Sequence, residues 1–259
     1  MMQDDVTTLN FMKKSNHFIV MINQLQYGQL IKAINGFANK NQMNIMVIYG
    51  SCDKTIKFWT KQNQWLQKQT ITNHTDIVYG LSLNQKQNIL ISCGLDAQIL
   101  IIEQSQKDSK WIVIQTIQVE KSGQRICFIN DDVFSFQPQK KCICSCQSGS
   151  DDCYFFPQEH IKSKFLLVNK NYKYVNLIRK NENGEFKTEQ SIEFGNQSLY
   201  GCMSDDGQYL ITWDYSSKEI QIRKYNEIQN NIKILIQQCK MMDSFFSAHN
   251  NNLQDMLQY

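Results

Sequence analysis

The chain has 259 residues, 42% apolar, 20% charged and 11% aromatic, enough to bury about three quarters of its surface in a core, which excludes a disordered tail. Two prolines and eleven glycines exclude collagen-like and proline-rich low complexity, and no apolar run approaches the ~18 residues that cross a bilayer. A formal net charge of +3 is too even to drive binding to nucleic acid or to an anionic membrane.

At the start, Met1 to Asp5 is acidic and leads into no apolar segment with a small-residue cleavage site. No secretory signal is read, so a cytoplasmic location is expected, with the nucleus as the alternative. Nine cysteines in such a compartment are expected as free, mostly packed thiols. Matched without gaps, residues 6–20 keep apolar, Lys and Asn positions in register with residues 78–92, so a repeating unit is expected to be under way already. Residues 20–47 read less like the rest.

From there, short β-branched or aromatic runs separated by Asn, Gln, Asp, Gly and Lys predict strands. Residues 50–59 have a counterpart in residues 93–102. In both copies a turn aspartate, Asp53 or Asp96, is followed three residues later by Ile and six later by a large apolar residue, Trp59 or Ile102. The period is 43 residues. Trp65–Ile71 recurs as residues 111–117, and more weakly as 186–192. Strands at Val78–Leu83, 89–92, 99–102 and 111–117 complete one unit of four. Residues 138–149 lack the alternation. Residues 166–168, 174–178 and 186–194 repeat the meander, with Asn183-Gly184 closing a hairpin. Leu199–Met203, 209–213 and 220–225 form another, with Asp206-Gly207 as its first turn. In the tail, Ile232, Leu235 and Ile236 suit either a short helix or a last strand.

Periods near 40 to 45 residues built from short strands point to propeller blades. The expected fold is all-β: a β-propeller of four-stranded antiparallel blades over residues 1–230, about six units, incomplete or with degenerate blades, followed by a tail over 231–259. An unclosed ring would leave unpaired strand edges.

These residues resemble the WD-repeat family, whose blades carry a His before the first strand, a Ser on the second, an Asp in the following turn and a Trp on the third. The resemblance implies that His74, Ser92 and Asp96 fill three of those roles in one blade, with Ile102 in place of the Trp. It implies two, Asp53 and Trp59, in the preceding blade, where Tyr49 stands in the Ser position and no His lies at the matching distance. The physical purpose is a structural lock, because a buried Asp must accept hydrogen bonds to offset its desolvation. Trp213-Asp214 ends a second strand rather than a third and carries no weight as a signature.

By analogy, a propeller is a rigid disc whose loops grip other proteins, so the resemblance implies a non-enzymatic scaffold in a multiprotein complex, with no cofactor, nucleic acid or membrane. A partner site is expected on Thr75, Asp76 and Tyr79, with packing an equal reading for Tyr79. The layout of residues 59–71 with His74, and of 102–120, is similar to WD-repeat subunits of the cytosolic iron-sulfur targeting complex. That implies docking during delivery of clusters to recipient apoproteins. The alternative is a generic adaptor such as a substrate receptor in ubiquitin transfer.

Reactive side chains point weakly to chemistry. Cys142, Cys144 and Cys146, with Cys153 beyond, would place three thiols on one strand face, but about 6–7 Å apart per step, too spread to wrap one zinc ion. A thiol- or metal-binding role for this cluster is the remaining alternative. His17, His74, His160 and His249 show no metal-binding spacing, and no phosphate loop or nucleophile elbow occurs. The pairs Asp131-Asp132, Asp151-Asp152 and Asp205-Asp206 read as turn residues. Trp59, Trp65, Trp111 and Trp213 are expected to pack between blades.

Overall fold

The computed structural model describes residues 12–14, 17–21, 45–61, 64–138, 156–181, 183–197, 199–214, 217–225 and 237–239. The cysteines 142, 144, 146 and 153 lie outside these residues, as do His249 and most of the tail. Two compact units divide the chain: residues 1–150 with 157–162, and residues 151–156 with 163–259. Among the described residues, regular structure is β apart from one 3-10 turn at Lys162–Lys164.

In the first unit, β1 (Met12–Lys14), β2 (His17–Met21), β3 (Ile45–Gly50), β4 (Ile56–Lys61) and β5 (Trp65–Ile71) form one sheet in that order. The step from β2 to β3 is parallel, and the others are antiparallel. This departs from a wholly antiparallel blade. Parallel neighbours need a connection of a dozen or so residues, and 23 residues separate β2 from β3 in the sequence. The second sheet, β6 (Val78–Leu83), β7 (Ile89–Gly94), β8 (Gln98–Gln104) and β9 (Trp111–Gln118), is the four-stranded antiparallel meander read from the sequence. A pair, β10 (Gly123–Phe128) and β11 (Phe134–Pro138), and the short β12 (Glu159–Ile161) complete the unit's strands.

The core lies between sheets. Ile48, Ile56, Phe58 and Ile71 meet Val78, Leu81, Leu83, Leu90, Leu100, Ile102 and Trp111, and the rings of Phe58 and Trp111 stack at 5.4 Å. On the other face of the second sheet, Ile91, Cys93 and Ile99 meet Ile126 and Phe128 of β10. A sheet covered on both faces has no reason to alternate, and every residue of β6 is buried. Gly80 leaves the room this packing needs, because a Cβ there would lie 2.5 Å from the Cys93 sulfur and 3.1 Å from Cγ2 of Ile126 on β10.

One side chain ties the two sheets as a strand would. Gln69 on β5 donates through Nε2 to the carbonyl of Trp111 at 2.5 Å and accepts from its N–H through Oε1 at 2.9 Å. Gln69→Ala is expected to destabilise the protein by about 1–2 kcal/mol, two half-buried hydrogen bonds being lost, with urea unfolding as the measurement.

In the second unit, β13 (Leu166–Asn171), β14 (Tyr174–Lys180) and β15 (Phe186–Glu193) form an antiparallel meander. Its hairpin closes through Gly184 at φ +85°, the Gly184 N–H donating to the Asn181 carbonyl at 3.0 Å. β16 (Leu199–Met203), β17 (Tyr209–Asp214), β18 (Ile220–Lys224) and β19 (Gln237–Cys239) form a four-stranded sheet. The tail thus supplies a strand, and the backbone groups along the edge of β18 are the reason, since a paired strand satisfies them. Pairs β4–β5, β8–β9 and β14–β15 each carry a register shift, at Phe58/Trp59, Ile101/Ile102 and Leu177/Ile178. The first two coincide under the 43-residue period.

Candidate functional site

The two repeated aspartates close the same turn. Oδ1 of Asp53 accepts from the Thr55 N–H at 3.1 Å, and Oδ1 of Asp96 from the Gln98 N–H, also at 3.1 Å. The residue between is left-handed in both, Lys54 at φ 71° and Ala97 at φ 56°. That conformation is costly for a residue with a Cβ. Ala97→Gly is therefore expected to stabilise the protein by about 0.5–1 kcal/mol, seen as a higher Tm in calorimetry.

The second oxygen separates the copies. Oδ2 of Asp96 lies 2.7 Å from Nδ1 of His74 and accepts from the Thr75 N–H at 2.9 Å, and Nε2 of His74 lies 2.8 Å from the Ser92 hydroxyl. The loop before β6, strand β7 and the turn into β8 are thereby joined. Asp53 instead sits exposed, its carboxylate held by Thr55 and Lys57. The structure brings His74, Ser92 and Asp96 together and leaves Asp53 out of any such chain. Ile102, in the Trp position, is fully buried.

Order and spacing in this chain are those of a serine nucleophile with its base and orienting acid. Access is lacking. The His74 and Asp96 side chains are each 1% exposed and Ser92 is 0% exposed, so no substrate carbonyl reaches the hydroxyl. A neutral imidazole satisfies both neighbours, donating from Nδ1–H to Asp96 and accepting the Ser92 hydroxyl at Nε2.

Burial pushes the His74 imidazole below its ordinary value of 6.5, with Asp96 opposing. The unfolded chain therefore takes up the proton first. Stability from this group is fully present above pH ~6.5 and falls as the pH drops through the lower folded value. Urea midpoints measured from pH 8 to pH 5 are expected to fall below pH ~6.5, and His74→Gln to flatten that slope.

Of the expected partner-binding residues, Thr75 is exposed and Asp76 is half-buried, its Oδ1 accepting from the Ile77 N–H at 2.8 Å. Tyr79 is 9% exposed and belongs to the core. Thr72 and Asn73, which sequence reasoning did not single out, are exposed on the same loop. Trp65 and Trp111 are buried, whereas Trp59 and Trp213 are half-buried. Trp59 pairs across the strands with Val47, on the face away from Ile48 and Phe58.

Sequence reasoning also missed Arg223, 7% exposed, which lies over the Phe194 ring at 4.4 Å and donates to Thr212 at 3.3 Å and Gln221 at 2.6 Å. Its place between Ile222 and Lys224, on the inward-facing register of β18, was the available signal. Among the described residues, no three His, Cys, Asp or Glu side chains gather to hold a metal ion. The Cys93 thiol is buried, and that burial pushes its pKa up, out of reach as a nucleophile.

The family model for the WD domain, G-beta repeat, matches residues 65–103, the stretch that holds His74, Ser92 and Asp96. Over that stretch the chain is similar to one WD40 repeat. Solved structures resemble it at the level of fold. A candidate 6-phosphogluconolactonase from Bacteroides uniformis aligns with a TM-score of 0.57 and 13% identity over 78% of this chain and 69% of its own. The β-propeller domain of Cps50 (Swd1) from Myceliophteria thermophila aligns at 0.50 and 11% identity over 74% and 67%. A protein of unknown function from Desulfotomaculum acetoxidans aligns at 0.53 and 11% over 74% and 65%. None of the curated proteins matches the chain. The fold is all-β and of the propeller class.

Proposed function

We propose that the protein is a non-enzymatic scaffold of the cytoplasm or nucleus that docks other proteins on the loop before β6. The observation that carries this reading is the sealed His74–Ser92–Asp96 chain. Its hydroxyl is buried, so it supports no acyl transfer, yet it pins the Thr75 backbone and leaves Thr72, Asn73 and Thr75 exposed on a preformed loop. A loop already ordered loses little entropy when a partner binds. The likeness to a candidate lactonase is one of fold at 13% identity, and a shared fold carries no activity by itself.

The test is affinity purification of the tagged protein with mass spectrometry, in parallel with Thr75→Arg. Wild type is expected to recover partners near stoichiometry, and the variant to lose them at unchanged Tm. Recovery that ignores the substitution, or no recovery at all, overturns the loop as the docking site. The finer proposal is docking in cytosolic iron-sulfur protein assembly. It is supported by the similarity over residues 59–71 and 102–120, which run from the ends of β4 and β8 through β5 and β9. Iron-sulfur targeting proteins among the partners favour it, whereas a ubiquitin ligase would favour an adaptor instead.

A further inference from the structure

The outer strand of the second sheet lacks a guard that its counterparts carry. β5, β9 and β15 are the corresponding strands of three repeats, and each ends the order of its sheet. Each also bulges at the same place, the extra residue being Lys68, Ile114 and Glu189 in turn. An edge strand invites pairing by another chain, and a charge or a bulge on it discourages that pairing. β5 and β15 have both devices. β9 keeps the bulge, but none of its eight residues is charged, proline or glycine, and five are β-branched, a composition that favours strand pairing.

Burial along β9 agrees. Trp111 and Val113 pack into the central cluster, while the alternate residues Ile112 and Ile114 are each 53% exposed. In the Ile112 position β5 has Leu66 and β15 has Lys187.

An amide already sits on this edge. The Gln69 carboxamide accepts from the Trp111 N–H and donates to its carbonyl, the two bonds that a peptide group of a neighbouring strand would make. Beyond Trp111, among the described residues, no strand adjoins the outer edge of β9.

The footprint decides the occupant. Eight residues at ~3.3 Å rise and one strand spacing of ~4.8 Å give roughly 130 Å². A stable dimer buries ~800 Å² on each partner, so a second copy joined through this edge alone is held too weakly. Two-fold pairing of β9 with itself would also bring two bulges into one ladder. A single extended peptide meets one bulge, and it draws affinity from main-chain hydrogen bonds and specificity from the side chains beside Ile112 and Ile114.

We propose that β9 is an interaction surface for an extended, uncharged, β-branched peptide segment of a partner protein, which adds to the second sheet as a further strand. This surface is independent of docking at the loop before β6. The probe is a capped peptide of alternating valine and threonine with serine at both ends, followed by fluorescence anisotropy on the full chain. Wild type and Thr75→Arg are expected to bind it alike. Ile114→Lys, which restores the charge that β5 carries at this place, is expected to weaken binding at least tenfold at unchanged Tm, since the side chain replaced is an exposed one. No binding to wild type, or equal binding by Ile114→Lys, overturns the proposal. Loss of binding in Thr75→Arg also overturns it, by moving the peptide to the loop, as does a wild-type dimer in sedimentation that Ile114→Lys dissociates. Should Ile114→Lys not fold, the same peptide N-methylated at every second residue provides the other arm on wild type. It cannot donate along the edge and is expected not to bind, and binding equal to that of the unmodified peptide overturns strand addition.

Discussion

Trp111→Ala is expected to lower the unfolding free energy by about 3–5 kcal/mol, about a fifth or more of the 5–15 kcal/mol typical of a domain. Trp111 is 3% exposed, and its ring stacks on Phe58 in the cluster that joins the first two sheets. Removing it takes apolar surface from both sheets and leaves a cavity that neither backbone can close, because both are held by hydrogen-bonded ladders. Trp59→Ala serves as the comparison. Trp59 is half-buried on the far face of its sheet, so its loss is expected to be smaller, at about 1–2 kcal/mol. Denaturant unfolding of the two variants side by side checks the claim, and equal losses would contradict the assignment of Trp111 to the central cluster.

Asp96→Ala is expected to destabilise by about 3 kcal/mol. Its carboxylate accepts from the His74 ring and from the backbone of Thr75 and Gln98. A buried donor left without its acceptor costs about 1–3 kcal/mol, and the His74 ring has no water to turn to. Asp53→Ala removes the same turn bond to Thr55 in an exposed setting, where water replaces it, and is expected to change stability by less than about 1 kcal/mol. A melting temperature that falls equally for the two variants would show that the buried chain adds nothing beyond the turn.

The four-stranded rhythm was legible because strand length, turn residues and the 43-residue period are local properties. The turn geometry around Asp53 and Asp96 was legible for a similar reason, since an aspartate that accepts from the N–H two residues on needs only its own neighbours. Ser92 and His74 entered by resemblance, and both meet in the Asp96 chain. The parallel join of β2 to β3 was not legible, because the direction in which a long connection returns depends on which edge is free. Nor was the difference between Trp59 and Trp111: both are tryptophans on short strands, and only the placement of neighbouring sheets decides which face is covered. Gln69 gave no signal among many glutamines, because its partner is a backbone 42 residues away.

The sequence by itself determined that short strands and aspartate turns would recur, since hydrogen bonds across two or three residues and the two-residue side-chain period act wherever the pattern is written. Tertiary structure decided which copy of the turn became a buried polar chain. Asp53 and Asp96 close the same turn, but Asp96 alone meets a histidine supplied from before β6, itself bonded to a serine from β7. Burial makes that hydrogen bonding obligatory at Asp96, whereas at Asp53 water is a sufficient partner.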